Sequence, residues 1–222
     1  MKRRVSIIAI GLFVLVSGCA HQPKPAPATQ ARNDFEKSKD PPIAAQTYLA
    51  AGQLAESQGR LVQASQQYSR ALWLKPDYQD AMYRQGVVLT ELKNYPQAIQ
   101  MWTKYVEATG GDATAYSNLG FCQELALQFD AAELSYKRGI AKDPHNEACH
   151  VNYGLMLARK GRGEAALLQL QTVLSPAEAH YDLGSVYEIQ KRKQDALTEY
   201  HKAIELDPNL EEAKAKIASI GE

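Results

Sequence analysis

Residues 183–208 read Leu183-Gly184-Ser185-Val186-Tyr187-Glu188-Ile189-Gln190-Lys191-Arg192-Lys193-Gln194-Asp195-Ala196-Leu197-Thr198-Glu199-Tyr200-His201-Lys202-Ala203-Ile204-Glu205-Leu206-Asp207-Pro208. Gly184, Ala196, Tyr200 and Pro208 are its skeleton, and that skeleton recurs upstream. Glycines stand at Gly52, Gly86, Gly120, Gly154 and Gly184, in steps of 34, 34, 34 and 30 residues. Ala64, Ala98, Ala132, Ala166 and Ala196 follow them at a constant interval. With Gly at about 7% of residues, four such recurrences arise by chance about twice in 100,000 trials. The chain is an array of one repeated unit, and a unit of this length is a supersecondary element that must stack on its neighbours to bury a core.

The fine pattern describes two antiparallel helices per unit. Four residues after each alanine comes a large apolar side chain: Tyr68, Trp102, Tyr136, Leu170 and Tyr200. The small Gly and Ala allow close helix approach, and the large residue fills the space beside them. Pro76, Pro144 and Pro208 fall where proline prevents continuation of a second helix. Unit two carries Gly110-Gly111 there instead, followed by Asp112 as an N-cap. Pro96 sits in the first turn of a second helix, where its missing N–H costs little. Unit four is shorter, and its end reads Ser175-Pro176-Ala177-Glu178, an N-cap, an N1 proline and a capping-box glutamate. The loss is about one turn, so helical phase is kept with a local bend in the stack.

Gly, Ala, the large apolar residue, the late alanines Ala71 and Ala203, and the prolines together resemble the tetratricopeptide repeat. The resemblance spans residues 45–208, about three-quarters of the chain. It implies an all-α, right-handed α-solenoid of five helix pairs, at 45–78, 79–112, 113–146, 147–176 and 177–208, within a domain over 41–222. Residues 209–222 form a capping helix, with Leu210, Ala213, Ile217 and Ile220 on one face and Glu211, Glu212, Lys214 and Lys216 on the other. Asp40-Pro41-Pro42 resembles a cap and start for the first helix.

The first residues are of another kind. Lys2, Arg3 and Arg4 precede an apolar run from Val5 to Val16, too short to span a bilayer and flanked as a secretory signal is. The run closes as Leu15-Val16-Ser17-Gly18-Cys19, which resembles a bacterial lipobox. That resemblance implies a signal peptide over 1–18, a lipidated Cys19, and stable anchoring by several acyl chains. Ala20 in place of an aspartate points to the periplasmic face of an outer membrane. Residues 19–40, rich in Pro, Ala, Gln and Lys, read as a tether.

Charge excludes one class of partner. Without Lys2, Arg3 and Arg4, 22 of the 25 basic residues remain against 25 acidic ones, so the mature chain carries a net charge near −3. No basic face interleaved with aromatics offers itself to nucleic acid. Cys122 and Cys149 fall on neighbouring first helices at positions about seven residues out of register. That offset is roughly 10 Å of rise, beyond disulfide reach, so both are expected as small buried residues. His150 and His180 take equivalent places without further metal ligands, and no catalytic constellation or cofactor motif is present. The chain reads as a binding protein, not an enzyme, with no cofactor and no metal.

In the family that this chain resembles, the first helix of each unit lines a groove that takes protein segments. Its lining positions fall here on Leu49, Gln53 and Glu56, on Tyr83, Val87 and Glu91, and on Phe121, Glu124 and Leu125. They continue with Val151, Leu155 and Arg159, then Tyr181, Ser185, Glu188 and Ile189. Asn118 and Asn152 match a common asparagine of the family, but Arg159 is the sole basic residue of the sort that grips a C-terminal carboxylate. An apolar groove with an acidic edge suits an amphipathic helix or an extended apolar peptide. Small repeat lipoproteins of this build resemble pilotins and assembly lipoproteins of type IV and tight-adherence pili, which implies a secretin or another envelope component as partner. Repeat scaffolds that dock peptidoglycan hydrolases or synthases are the other class, and the repeats themselves do not separate the two.

Overall fold

The computed structural model describes residues 44–221, which lie within one compact unit, Ile43–Glu222. Asp40-Pro41-Pro42, Cys19, the apolar leader and the tether lie outside the described residues. The described chain is all helical, with no strand. Its eleven helices are α1 (Ala45–Ser57), α2 (Leu61–Leu74), α3 (Gln79–Glu91), α4 (Tyr95–Thr109), α5 (Ala113–Leu125) and α6 (Phe129–Lys142). They continue as α7 (Glu147–Arg159), α8 (Gly163–Leu170), α9 (Pro176–Ile189), α10 (Lys193–Leu206) and α11 (Glu211–Gly221). Each odd helix pairs with the even helix after it, and each even helix packs on the next odd one, which builds a solenoid.

The glycine beat is a steric requirement. A Cβ on Gly120 would stand 2.8 Å from the Tyr136 ring, and one on Gly184 would stand 2.8 Å from Tyr200. Gly86 meets Trp102 and Gly154 meets Leu170 in the same way, at 2.7 and 2.8 Å. The large residue of each second helix therefore lies flat on the backbone of its own first helix. Tyr68, Tyr136, Tyr200 and Leu170 are fully buried, as are the five period alanines.

Turns within units all use one device, and those between units use several. Every first helix ends with a left-handed residue, Gly59, Lys93, Leu127, Gly161 or Lys191, at φ between 58 and 76°. The next N–H then reaches back five residues, as from Arg60 to Ala55 and from Gln128 to Gln123, at 2.9 and 2.8 Å. That is a Schellman closure repeated five times. Between units, Lys75, Asp143 and Asp207 are extended because a proline follows each. Gly110 ends α4 in the left-handed region, and Asp112 accepts from Ala115 N at 2.7 Å. Ser175 and Glu178 form the complete capping box of α9. α1 begins after an extended Ala44 that supplies no side-chain cap. Unit four takes its deletion in α8, eight residues long, after which four non-helical residues, Gln171 to Leu174, lead to Ser175.

α11 covers the last unit through a fully buried Ala213, with Ile217 and Ile220 packed on the core around Tyr187 and Tyr200. No helix among the described residues is long and apolar enough to cross a membrane.

Candidate protein-binding groove

The surface formed by the first helices has a polar floor with its own period. Tyr68 donates its hydroxyl to Glu56, Trp102 Nε1 donates to Thr90 Oγ1 at 3.3 Å, and Tyr136 donates to Glu124 at 3.3 Å. Tyr200 donates to Glu188 at 2.6 Å. Each pair spans twelve residues. In unit four the same two positions hold Ala158 and Leu170, so the apolar large residue faces an apolar partner. The acceptor thus changes with the donor in all five units. Burial, reinforced by the carboxylate acceptor, pushes the Tyr68, Tyr136 and Tyr200 hydroxyls well above the usual phenol range.

The three glutamates are tied onward to a later unit or to the cap. Arg84 Nη1 lies 3.2 Å from Glu56, and Arg159 reaches Glu124 Oε1 through both Nε and Nη2 at 2.7 Å. Lys216 of α11 meets Glu188 at 2.9 Å. Arg159, read from sequence as a groove cation, is therefore engaged with a buried carboxylate. Asn152 is committed too, donating to Ser117 Oγ at 3.1 Å across the seam of units three and four.

Above this floor lie two hollows with one lining residue in common. Val87, Thr90, Glu91, Trp102, Asn118 and Phe121 enclose about 200 Å³ between units two and three. Phe121, Glu124, Leu125, Leu127, Phe129, Arg159 and Lys160 enclose about 390 Å³ between units three and four. Phe121 belongs to both. Phe121 and Leu125 are 40% and 37% exposed, and Leu127 projects at 74%. A third, polar hollow is lined by Gln53, Glu56, Arg84 and Glu91 with neighbours in the first turn.

The other expected lining residues divide by size and seam. Leu49 is a correction: it is buried with Ala55, Tyr68 and Val88 in the core of units one and two. Its repeat position lies on the seam, where Ser117 is likewise covered but a tyrosine protrudes. Tyr83 is partly exposed yet stacked edge-on against Trp102 and Tyr105, at 5.3 and 5.7 Å. Tyr181 packs on Tyr200 at 5.6 Å, and Val151 and Leu155 are half-buried. Ile189 is 81% exposed at the end of α9 and lines neither apolar hollow.

Cys122 and Cys149 are free and buried, with their thiols toward the carbonyls of Tyr95 and Ala113 of the preceding units. Burial pushes the Cys149 thiol up to about 11. His150 bonds Gln169 and the Pro144 carbonyl at 3.1 and 3.0 Å, and His180 bonds Glu199 at 2.6 Å. Each histidine is held to its own second helix or the turn before it, and among the described residues no three potential metal ligands come together.

Comparison with known proteins agrees with this architecture. Tetratricopeptide repeat models match residues 32–113 and 126–177, and a further one matches 177–210. Among solved structures, the MamA protein superposes with a TM-score of 0.62 at 23% identity, covering 78% of this chain and 94% of that one. YrrB, described as a TPR protein with an unusual peptide-binding site, gives 0.56 at 24% identity over 83% and 95%. A thermophilic TPR protein of Thermus thermophilus gives 0.55 at 23% identity over 80% and 98%. The plant protein SPINDLY, a probable peptide N-acetylglucosaminyltransferase of Hordeum vulgare, is 30% identical over 100 residues, 42% of this chain. The human O-mannosyl-transferase TMTC3 is 23% identical over 170 residues, 73% of this chain. This chain spans 11% and 19% of the length of those two relatives.

Proposed function

The chain belongs to the tetratricopeptide repeat family, and from that premise we propose that it is a lipid-anchored adaptor that holds a protein segment in the groove of its first helices. The observation that carries this reading is the pair of hollows sharing Phe121, where the large apolar side chains Phe121, Leu125 and Leu127 of unit three stay open to solvent against the walls of units two and four. Their floor is already satisfied internally, so the ligand is recognised by apolar anchors and shape instead of by a carboxylate clamp. The peptide-binding site named for YrrB supports the same use of a related surface. Cys19, lipidated, would tether the domain to the periplasmic face of the outer membrane. The partner class that best fits a small lipoprotein of five repeats is a secretin or another component of a pilus or secretion assembly.

Phe121→Ala with Leu125→Ala tests the groove better than any change at Tyr83, which also supports Trp102. Apolar anchors at interfaces typically contribute about 2 kcal/mol or more each. The double variant should lose partner capture from envelope extracts by at least tenfold while keeping its melting temperature within a few degrees. Normal capture by a folded double variant would overturn the groove reading. Cys19→Ser should separately abolish acylation and release the protein from membranes. A wild-type chain without acyl mass would end the lipid-anchor reading.

A further inference from the structure

The last residues of the five first helices are Ser57, Glu91, Leu125, Arg159 and Ile189, and all are exposed. Equal repeat positions form one row along the groove. That row passes from an acid in unit two, through an apolar residue in unit three, to a base in unit four.

Pairing within the floor leaves one charge over at each end of this stretch. In the polar hollow, Glu56 and Arg84 neutralise each other at 3.2 Å, and Glu91 remains. In the hollow between units three and four, Glu124 and Arg159 neutralise each other at 2.7 Å, and Lys160 remains. Among the described residues neither Glu91 nor Lys160 has an ion-pair partner. Lys160 Nζ stands 5.1 Å from the centre of the Phe129 ring, which holds the ammonium over the apolar wall. A cation at the end of a helix suits its dipole, whereas Glu91 opposes the dipole of α3 and gains nothing from its own helix. Between the two charges lie Phe121 and Leu125.

We propose, resting on the groove reading above, that the partner segment lies in the groove in a fixed charge order. A Lys or Arg side chain meets Glu91, apolar side chains fill the two hollows beside Phe121, and an Asp or Glu side chain meets Lys160. Packed helices stand about 10 Å apart, so the two charges are roughly 20 Å apart. About six extended residues or about thirteen helical ones cover that span. The chain's own leading residues do not supply the order. Residues 1–33 hold no acid, so the apolar run 5–16 has none within reach, and residues 20–42 hold one large apolar side chain, Phe35, for two hollows. Exposed charges at a rim contribute little affinity, so these select among apolar segments more than they hold them.

The test selects phage-displayed random peptides of fifteen residues on a chain starting at Ala20, which keeps the whole compact unit. Selected peptides should carry a basic and an acidic residue on opposite sides of two or more large apolar ones. Glu91→Lys should turn the selection to acids on both sides, and Lys160→Glu to bases on both sides, with circular dichroism unchanged. Each variant should bind the best wild-type peptide about fivefold more weakly at low salt. Peptides without the charge order, or indifferent to both charge reversals, would overturn the proposal; if Phe121→Ala with Leu125→Ala still weakens them, the groove reading stands. A library without binders, or binders indifferent to Phe121 and Leu125, would end both. Peptides that bind only after residues 20–42 are removed would give the groove to the chain's own segment and overturn the proposal too.

Discussion

The twelve-residue pairs show how a single side chain is specified by another unit of chemistry and not by its own repeat position. A buried tyrosine hydroxyl without an acceptor costs about 1–3 kcal/mol, and a buried carboxylate without donors costs more. Glu124 and Tyr136 answer each other, whereas Ala158 and Leu170 in unit four need no answer. The glycines, alanines and large apolar residues were legible in the sequence because each holds its position in all or nearly all units. The paired position was not, since Glu56, Thr90, Glu124, Ala158 and Glu188 share no property until their partners are known. A double-mutant cycle tests this account. Tyr136→Leu and Glu124→Ala should each destabilise the protein, and the two together, which recreate the pairing of unit four, should cost less than the sum by about 0.5–3 kcal/mol. Additive losses in denaturant titrations would show that the pair is not coupled.

Among the elements, the turn after α5 departs from what sequence alone reveals. Units one and four place Gly59 and Gly161 in its left-handed position, which any reading of glycine as a turn residue anticipates. Leu127 occupies the same conformation at φ 61° with its side chain in solvent, and no local signal marks it. A non-glycine residue there costs about 1–2 kcal/mol, and the residue chosen is apolar, exposed and on the wall of the hollow between units three and four. Leu127→Gly is expected to raise stability by up to about 1 kcal/mol through relief of that strain, and at the same time to weaken partner capture. A variant that becomes less stable would show that Leu127 packs for the fold alone. The caps at Gly110, Asp112 and Ser175 were legible in the sequence and stand where it placed them, but the cap at Asn146 and the bounds of the single helices were not read. The groove was less so, because exposure at the seam depends on side-chain size: Leu49 is covered, whereas Tyr83 protrudes.

At the scale of the molecule, a solenoid is held by nearest-neighbour contacts, so its ends determine where it begins to open. The C-terminal end is fastened by Glu188, which accepts from Tyr200 and pairs with Lys216 of α11. The Tyr200 hydroxyl first, then Lys216, holds the Glu188 carboxyl below the ordinary value of 4.5. Glu133, which accepts from Lys137 and Tyr153, is held low in the same direction. A carboxyl whose folded pKa is depressed contributes stability that is complete above its unfolded value and is lost as pH falls through the folded one. Acid should therefore loosen the array, and the end fastened by one glutamate should yield before the middle, where α5 and α6 have neighbours on both sides. Melting temperature is expected to fall between about pH 5 and pH 3, with the exchange protection factors of α11 dropping before those of α5. Glu188→Gln should make α11 exchange fast already at neutral pH and flatten its acid response, because the amide keeps the shape but not the titrating charge. If the protection factors of α11 are the same at pH 5 and pH 3, or if Glu188→Gln leaves them unchanged, the cap is held by Ala213, Ile217 and Ile220 alone, and the glutamate has no part in closing the array.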